Sequence, residues 1–192
     1  MSKNRVEAFT DAVIAIVMTL LVLELHQPGT DSFQALLELK HQLIIYFISF
    51  ITLAIYWNNH HHLFQVAKHI DGWMLWANHL LILAMSLFPF ITSWVSQYPL
   101  SLAPQMLYGT VILLADFSYF LLERLLSRPD QNNHVFRKLF YHHKKLYASL
   151  FINVLALLLG LLIHPLFVII LDSLSLILWV IPEKKAEQIL KK

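Results

Sequence analysis

Apolar residues in this chain come in long blocks, at about Phe9–Leu25, Leu43–Trp57, Trp73–Val95, Ala103–Leu122, Leu146–Leu162 and Pro165–Ile181, with polar residues gathered between them. A hydrocarbon core about 30 Å thick takes roughly 17–25 apolar residues per helical crossing, so each block predicts one transmembrane helix. The block beginning at Leu43 is the shortest, and it needs interfacial residues or helical extension to cross. Only Ile163 and His164 separate the fifth block from Pro165. Proline loses no hydrogen bond at a first helical position but breaks a helix interior, so Pro165 is expected to open a new helix after a tight hairpin. The rival, a single kinked helix of about 36 residues, is too long for one crossing even when tilted. With no fixed-period repeat, low-complexity tract or long linker, the pattern predicts one all-α, polytopic membrane domain of six helices over residues 1–192.

Composition agrees with that pattern. Hydrophobic residues make up 58% of the chain and charged residues 14%, and the mean hydropathy of +0.61 lies outside the ordinary soluble range. The absence of cysteine excludes disulfides, thiol catalysis and thiolate metal sites. Lys3 and Arg5 precede the first block, but Glu24, His26 and Pro28 follow it without a small-residue cleavage pattern, so the first helix is expected to be retained.

Charge then orients the chain, because lysine and arginine are held on the cytoplasmic side. If the N-terminus is inside, the inner segments collect Lys3, Arg5, Lys68, Arg124, Arg128, Arg137, Lys138, Lys144, Lys145, Lys184, Lys185, Lys191 and Lys192, and the outer segments only Lys40. A missed crossing would scramble this asymmetry, so it predicts an inner-membrane protein with both termini in the cytoplasm. The basic stretch Arg124–Lys145 lies between two blocks and carries no nucleic-acid motif; it reads as a topology signal, and no nucleic-acid partner is expected. The tail Glu183–Lys192 is either a short charged helix at the headgroups or solvated chain.

Polar groups inside membrane spans are functional candidates by default. The first helix carries Arg5, Glu7, Thr10 and Asp11 at its inner end, Thr19 near its middle and Glu24 at its outer end. Interfacial solvation accounts for Arg5 and Glu7, whereas Asp11 lies deeper and calls for a partner such as Arg5, Trp57, Asn58 or a nearby histidine. At about 100° per residue, Phe9, Ala12, Ile16, Leu20 and Leu23 share a narrow stripe, Thr19 sits about 60° from Ile16, and Asp11 points about 140° away from it. Periodicity alone leaves this aliphatic stripe as ordinary lipid or helix contact, or as a pore lining. The Thr19 hydroxyl either meets an aqueous path or bonds back to its own helix.

The segment Arg5-Val6-Glu7-Ala8-Phe9-Thr10-Asp11 resembles the RxxxFSD signature of the family containing the endolysosomal potassium channel called transmembrane protein 175, with threonine in place of serine. Ala12–Leu25, Tyr56-Trp57-Asn58-Asn59-His60-His61-His62-Leu63-Phe64, Leu87-Phe88-Pro89-Phe90 and Trp179-Val180-Ile181-Pro182 are similar to that family in the same order. The resemblance covers nearly the whole chain. It implies six-helix units whose first helices surround a central pore, four units in bacterial relatives and paired repeats in the animal protein. This single-repeat chain would then be a homotetrameric potassium channel. On this resemblance Ile16, Leu20 and Leu23 form the hydrophobic constriction and Thr19 an adjacent polar ring. Arg5, Phe9, Thr10 and Asp11 brace the first helix, supported by Trp57, Asn58 and His61. Potassium is the permeant ligand and membrane lipid the surrounding partner; no cofactor and no metal are implied.

No TVGYG-like carbonyl filter occurs in the sequence, so side chains must shape any selective path. The triplet His60-His61-His62 invites a metal, but neighbouring helical residues point about 100° apart and cannot easily face one ion. Asn78, His79, Asp116, Asn153, His164 and Asp172 punctuate the later blocks as inter-helix contacts or as pieces of a proton path. They keep open a second reading, a proton-coupled small-solute or ion transporter. With no Gly-rich phosphate loop, HExxH motif or nucleophile arrangement, catalysis is not expected.

Overall fold

The computed structural model describes residues 2–67, 70–127 and 144–180. The tail Glu183–Lys192, the motif end Ile181–Pro182 and the basic residues Lys68, Arg128, Arg137 and Lys138 lie outside the described residues. In chain order the helices are α1 (Lys3–Leu23), α2 (Phe33–Glu38), α3 (Lys40–Val66), α4 (Gly72–Ser86), α5 (Phe88–Gln97), α6 (Leu102–Ser127), α7 (Lys144–Leu162) and α8 (Leu166–Val180). The described residues contain no strand.

Five helical stretches among the described residues are long and apolar enough to cross a membrane: Lys3–Leu23, Lys40–Gln65, Gly72–Gln97, Leu102–Ser127 and Lys145–Leu162; Leu166–Trp179 is a shorter apolar helix. The third stretch holds both α4 and α5. Asp71 starts α4 by accepting a bond from the Met74 amide at 2.9 Å, satisfying one of the orphan N–H groups of a helix start. The ladder then breaks at Leu87, whose amide turns back to Ala84 at 3.3 Å, because Pro89 has no amide hydrogen to give and its ring crowds the preceding turn. Pro165 lies in the short connection Ile163–Pro165 between α7 and α8. α2 is a short helix between α1 and α3, begun by Ser32 accepting from the Ala35 amide at 3.2 Å.

α6 is the hub, packed against α4, α5, α7 and α8, while α1 lies against α3, α4 and α5. Tyr108, Ala115 and Leu122 of α6 are fully buried, as are Phe88, Leu81 and Met85 from the helices facing it. Close approach of α6, α7 and α8 depends on two glycines. A Cβ on Gly109 would meet Val168 Cγ1 at 2.6 Å and Leu157 Cδ2 at 2.9 Å, and one on Gly160 would run into Val168 Cγ2. Val168 thus fills a hollow between two glycines, the small-residue packing that lets helices associate where no hydrophobic effect separates them from lipid. Gly109→Val is expected to destabilise the subunit by about 1–3 kcal/mol, since overpacking a filled core forces side chains off their rotamers. Thermal unfolding in detergent reads this as a lower midpoint. An unchanged midpoint would mean that α8 can move off α6 freely.

Candidate functional site

α1 presents two unlike faces. Val6, Thr10, Ile14, Val17 and Leu21 are buried against the rest of the chain, following a helical repeat of three and four residues. On the opposite side Ile16, Leu20 and Leu23 are exposed, at 58%, 43% and 76% respectively, and Thr19 is exposed among them. The Thr19 hydroxyl donates to the Ile16 carbonyl at 2.7 Å, so of the two alternatives for this group the back-bond to its own helix forms. Its proton is therefore committed, and its oxygen keeps lone pairs on the exposed face.

The inner half of α1 is pinned to α3 by a ladder of polar contacts. Lys3 Nζ donates to the Gln65 carbonyl at 3.5 Å, Glu7 Oε1 meets His61 Nδ1 at 3.1 Å, and Trp57 Nε1 donates to Asp11 Oδ1 at 3.0 Å. Residues 3, 7 and 11 descend one helix in steps of four, while 65, 61 and 57 ascend the other. Two antiparallel helices with i, i+4 polar rows produce this register. Gln65 Nε2 lies 2.7 Å from His61 Nε2, so the imidazole is held from both sides, and the Trp57 and His61 rings stack at 6.3 Å.

A deeper chain lies beneath that ladder. His60 Nε2 lies 2.8 Å from Asn78 Oδ1, Asn78 Nδ2 donates to Thr10 Oγ1 at 2.8 Å, and the Thr10 hydroxyl donates to the Val6 carbonyl at 2.9 Å. His60, Asn78 and Thr10 are all buried. An amide oxygen can only accept, so His60 Nε2 carries the proton and the whole chain runs in one direction, from imidazole to backbone. Thr10 must accept one bond and donate another. Any hydroxyl residue can do this, which is why threonine serves where the resembling signature has serine.

The remaining predicted residues fall around these two networks. Phe9 is half exposed, with its ring 6.2 Å from that of His79. Arg5 and Asn58 are exposed, and neither side chain has a hydrogen bond or ion pair among the described residues. The three neighbouring histidines turn to different surroundings: His60 to Asn78, His61 to Glu7 and Gln65, while the buried His62 Nδ1 has no hydrogen-bond partner among the described residues. Among the described residues no group of three His, Cys, Asp or Glu is placed to hold a metal ion. The sequence pointed to His61 first among the three histidines and passed over Lys3 and Gln65. The repeat of four in Trp57, His61 and Gln65 was the available signal.

The family described as "Endosomal/lysosomal potassium channel TMEM175" matches residues 5–89. A protein from Chryseobacterium sp. (strain P1-3) described as a potassium channel is 35% identical over 192 residues, covering all of both chains. A Danio rerio protein described as an endosomal/lysosomal proton channel is 25% identical over 120 residues, 59% of this chain and 23% of that one. The crystal structure of a lysosomal potassium-selective channel TMEM175 homolog from Chamaesiphon minutus superposes with a TM-score of 0.77 at 24% identity, covering 93% of this chain and 96% of that one. With a relative 35% identical along its full length and five helical stretches able to cross a bilayer, the chain is an integral membrane protein and belongs to the TMEM175 family.

Proposed function

We propose that four copies of this chain assemble in the bacterial inner membrane into a potassium-favouring ion channel, as one domain of six membrane-crossing helices, with both termini cytoplasmic and α1 of each copy lining a central pore. The carrying observation is the exposed aliphatic face of α1, Ile16, Leu20 and Leu23, on a helix fastened to its own subunit by its other side. In support, the relative matching along the full length is described as a potassium channel. Rings of Ile16, Leu20 and Leu23 form a constriction that closes by excluding water, since an ion stripped of hydration finds no replacement in alkyl groups. Widening or rotation of α1 restores a hydrated path.

Thr19 lies between these rings. Because its proton is committed to the Ile16 carbonyl, the lone pairs of four Thr19 oxygens compensate an ion that has lost part of its water. Potassium holds its water less tightly than sodium, so partial dehydration at this ring favours potassium. Phe9, Thr10, Asp11, Trp57 and His61 keep α1 at a fixed rotation within its subunit, and Arg5 and Asn58, exposed and without a bond among the described residues, are left to brace it against neighbouring copies. Exposed aliphatic and aromatic residues on other helices, such as Phe47, Phe151 and Leu158, face lipid. No cofactor takes part, and no catalytic step is assigned.

Planar-bilayer recording of the purified protein under opposed potassium and sodium gradients tests this. Unitary currents with reversal potentials favouring potassium are expected, and Thr19→Val is expected to keep conduction while lowering the potassium-to-sodium permeability ratio by about two-fold or more. Silent bilayers, together with gradient-coupled uptake into vesicles, would replace the channel with a transporter. An unchanged ratio in Thr19→Val would remove threonine from selectivity.

A further inference from the structure

A second polar cluster lies inside the subunit, away from the exposed face of α1. Asp116 of α6 is buried, and it accepts bonds from the Tyr56 hydroxyl of α3 at 2.5 Å, the Ser149 hydroxyl of α7 at 2.5 Å and Asn153 Nδ2 of α7 at 2.8 Å. Asp172 of α8 is 2% exposed, and among the described residues neither of its carboxyl oxygens has a hydrogen-bond partner; Asn153 Oδ1, equally buried, has none there either. Neither acid has an ion-pair partner among the described residues. Beside Asp116 a cavity of about 20 Å³ is lined by Tyr56, Asn59, Tyr119, Ser149 and Ser175, which is room for one water molecule.

Three donors satisfy Asp116 as a carboxylate. Asp172 has none, and an ionised carboxylate left without donors inside a membrane protein is costly enough that some ligand must answer for it. Asp172 Oδ2 lies 3.4 Å from where a Cβ on Gly109 would stand, and Gly109 shares a face of α6 with Asp116 two turns on, so the acids are neighbours across the α6–α8 contact and charging both adds repulsion to desolvation. A metal cation fits poorly, because Asp116 already gives its oxygens to three donors and the cavity cannot supply the several oxygens a cation requires. A proton brought by one water fits. We infer that Asp116, Asp172 and Asn153 form an exchangeable proton site within each subunit, separate from the α1 face, in which one of the two carboxyls is protonated.

The titratable groups near this site are Tyr56 from α3, which donates to Asp116, and Tyr108, Tyr119 and Glu123 on α6, all buried, with Glu123 two turns beyond Asp116 on the same face of the helix. From α7 come Ser149 and Asn153, neither of which titrates. One proton gained or lost therefore changes the charge buried at the junction of α3, α6, α7 and α8.

Infrared difference spectra of the purified full chain in lipid, recorded between pH steps, test the site and need no ion current, so the result is independent of the channel proposal. The expected result is a carbonyl band of a protonated carboxyl that appears and disappears with pH and is altered by both Asp116→Asn and Asp172→Asn. Ser149→Ala, which keeps both acids and removes one donor, is expected to move the titration midpoint by about one pH unit, and it decides the matter if an asparagine variant fails to assemble. No pH-dependent carboxyl band, a band that either Asp→Asn change leaves untouched, or a midpoint unmoved in Ser149→Ala would overturn the inference.

Discussion

Ile16→Asn is expected to raise the potassium current at fixed voltage by about ten-fold or more, the largest functional effect any single substitution in this chain should have. An aliphatic ring blocks ions by refusing water, and the barrier is the hydration an ion loses while crossing it. In the proposed tetramer, four amides in place of four sec-butyl groups hydrate the ring and offer oxygens to the ion, and each 1.4 kcal/mol removed from the barrier is a factor of ten in rate. Ile16 suits the test because it is 58% exposed and makes little of the subunit core, so the change leaves folding largely alone. Val22→Asn is the control: Val22 is comparably exposed, at 48%, but points more than a quarter-turn away from the Ile16, Leu20 and Leu23 stripe. Equal gains in both variants would mean that any polar group on α1 perturbs the membrane. A gain in Ile16→Asn alone would place this stripe on the ion path, and no gain in either would put the barrier elsewhere.

The two faces of α1 were legible because helical periodicity is a local property. The angles among Phe9, Ile16, Leu20 and Leu23 follow from 3.6 residues per turn, and exposure in the folded chain falls along the same stripe. The need of Asp11 for a partner was legible for the same reason, and Trp57 stood among the candidates. What the sequence did not yield is register. The pairing of Lys3, Glu7 and Asp11 with Gln65, His61 and Trp57 requires knowing how far α3 slides along α1, and loop lengths leave that open. The inner row is harder still: His60 reaches Thr10 only through Asn78 of a third helix, so no two-helix pattern announces it. The break at Leu87 lay in plain sight as Pro89, yet the apolar block ran through it because hydropathy ignores the missing amide hydrogen. Asp172 could be read as an inter-helix contact from its residue type alone. That its oxygens lack a hydrogen-bond partner among the described residues appears only once the atoms around it are placed.

Asn78→Leu is expected to lower the stability of the subunit by about 2–4 kcal/mol, the largest structural effect among the residues that hold α1. The substitution nearly conserves volume, so packing contributes little to the loss. It removes both bonds that tie α4 to α1 and α3, and it leaves His60 Nε2–H buried with nothing to accept it, on a ring whose Nδ1 is already unpartnered. Removing one partner of a buried pair exposes the full desolvation penalty of the other, about 1–3 kcal/mol, whereas replacing both by apolar groups of similar shape is close to neutral. The companion substitution is therefore His60→Phe, which keeps the ring stacked on Phe64, now 4.3 Å away between centroids. Melting curves in detergent should show Asn78→Leu several degrees below the parent and the double variant recovering much of that loss. Such recovery is a coupling energy, the signature of residues that act as one unit. If the losses simply add, the imidazole and the amide contribute separately, and the fixed rotation of α1 must come instead from the outer ladder of Lys3, Glu7 and Asp11.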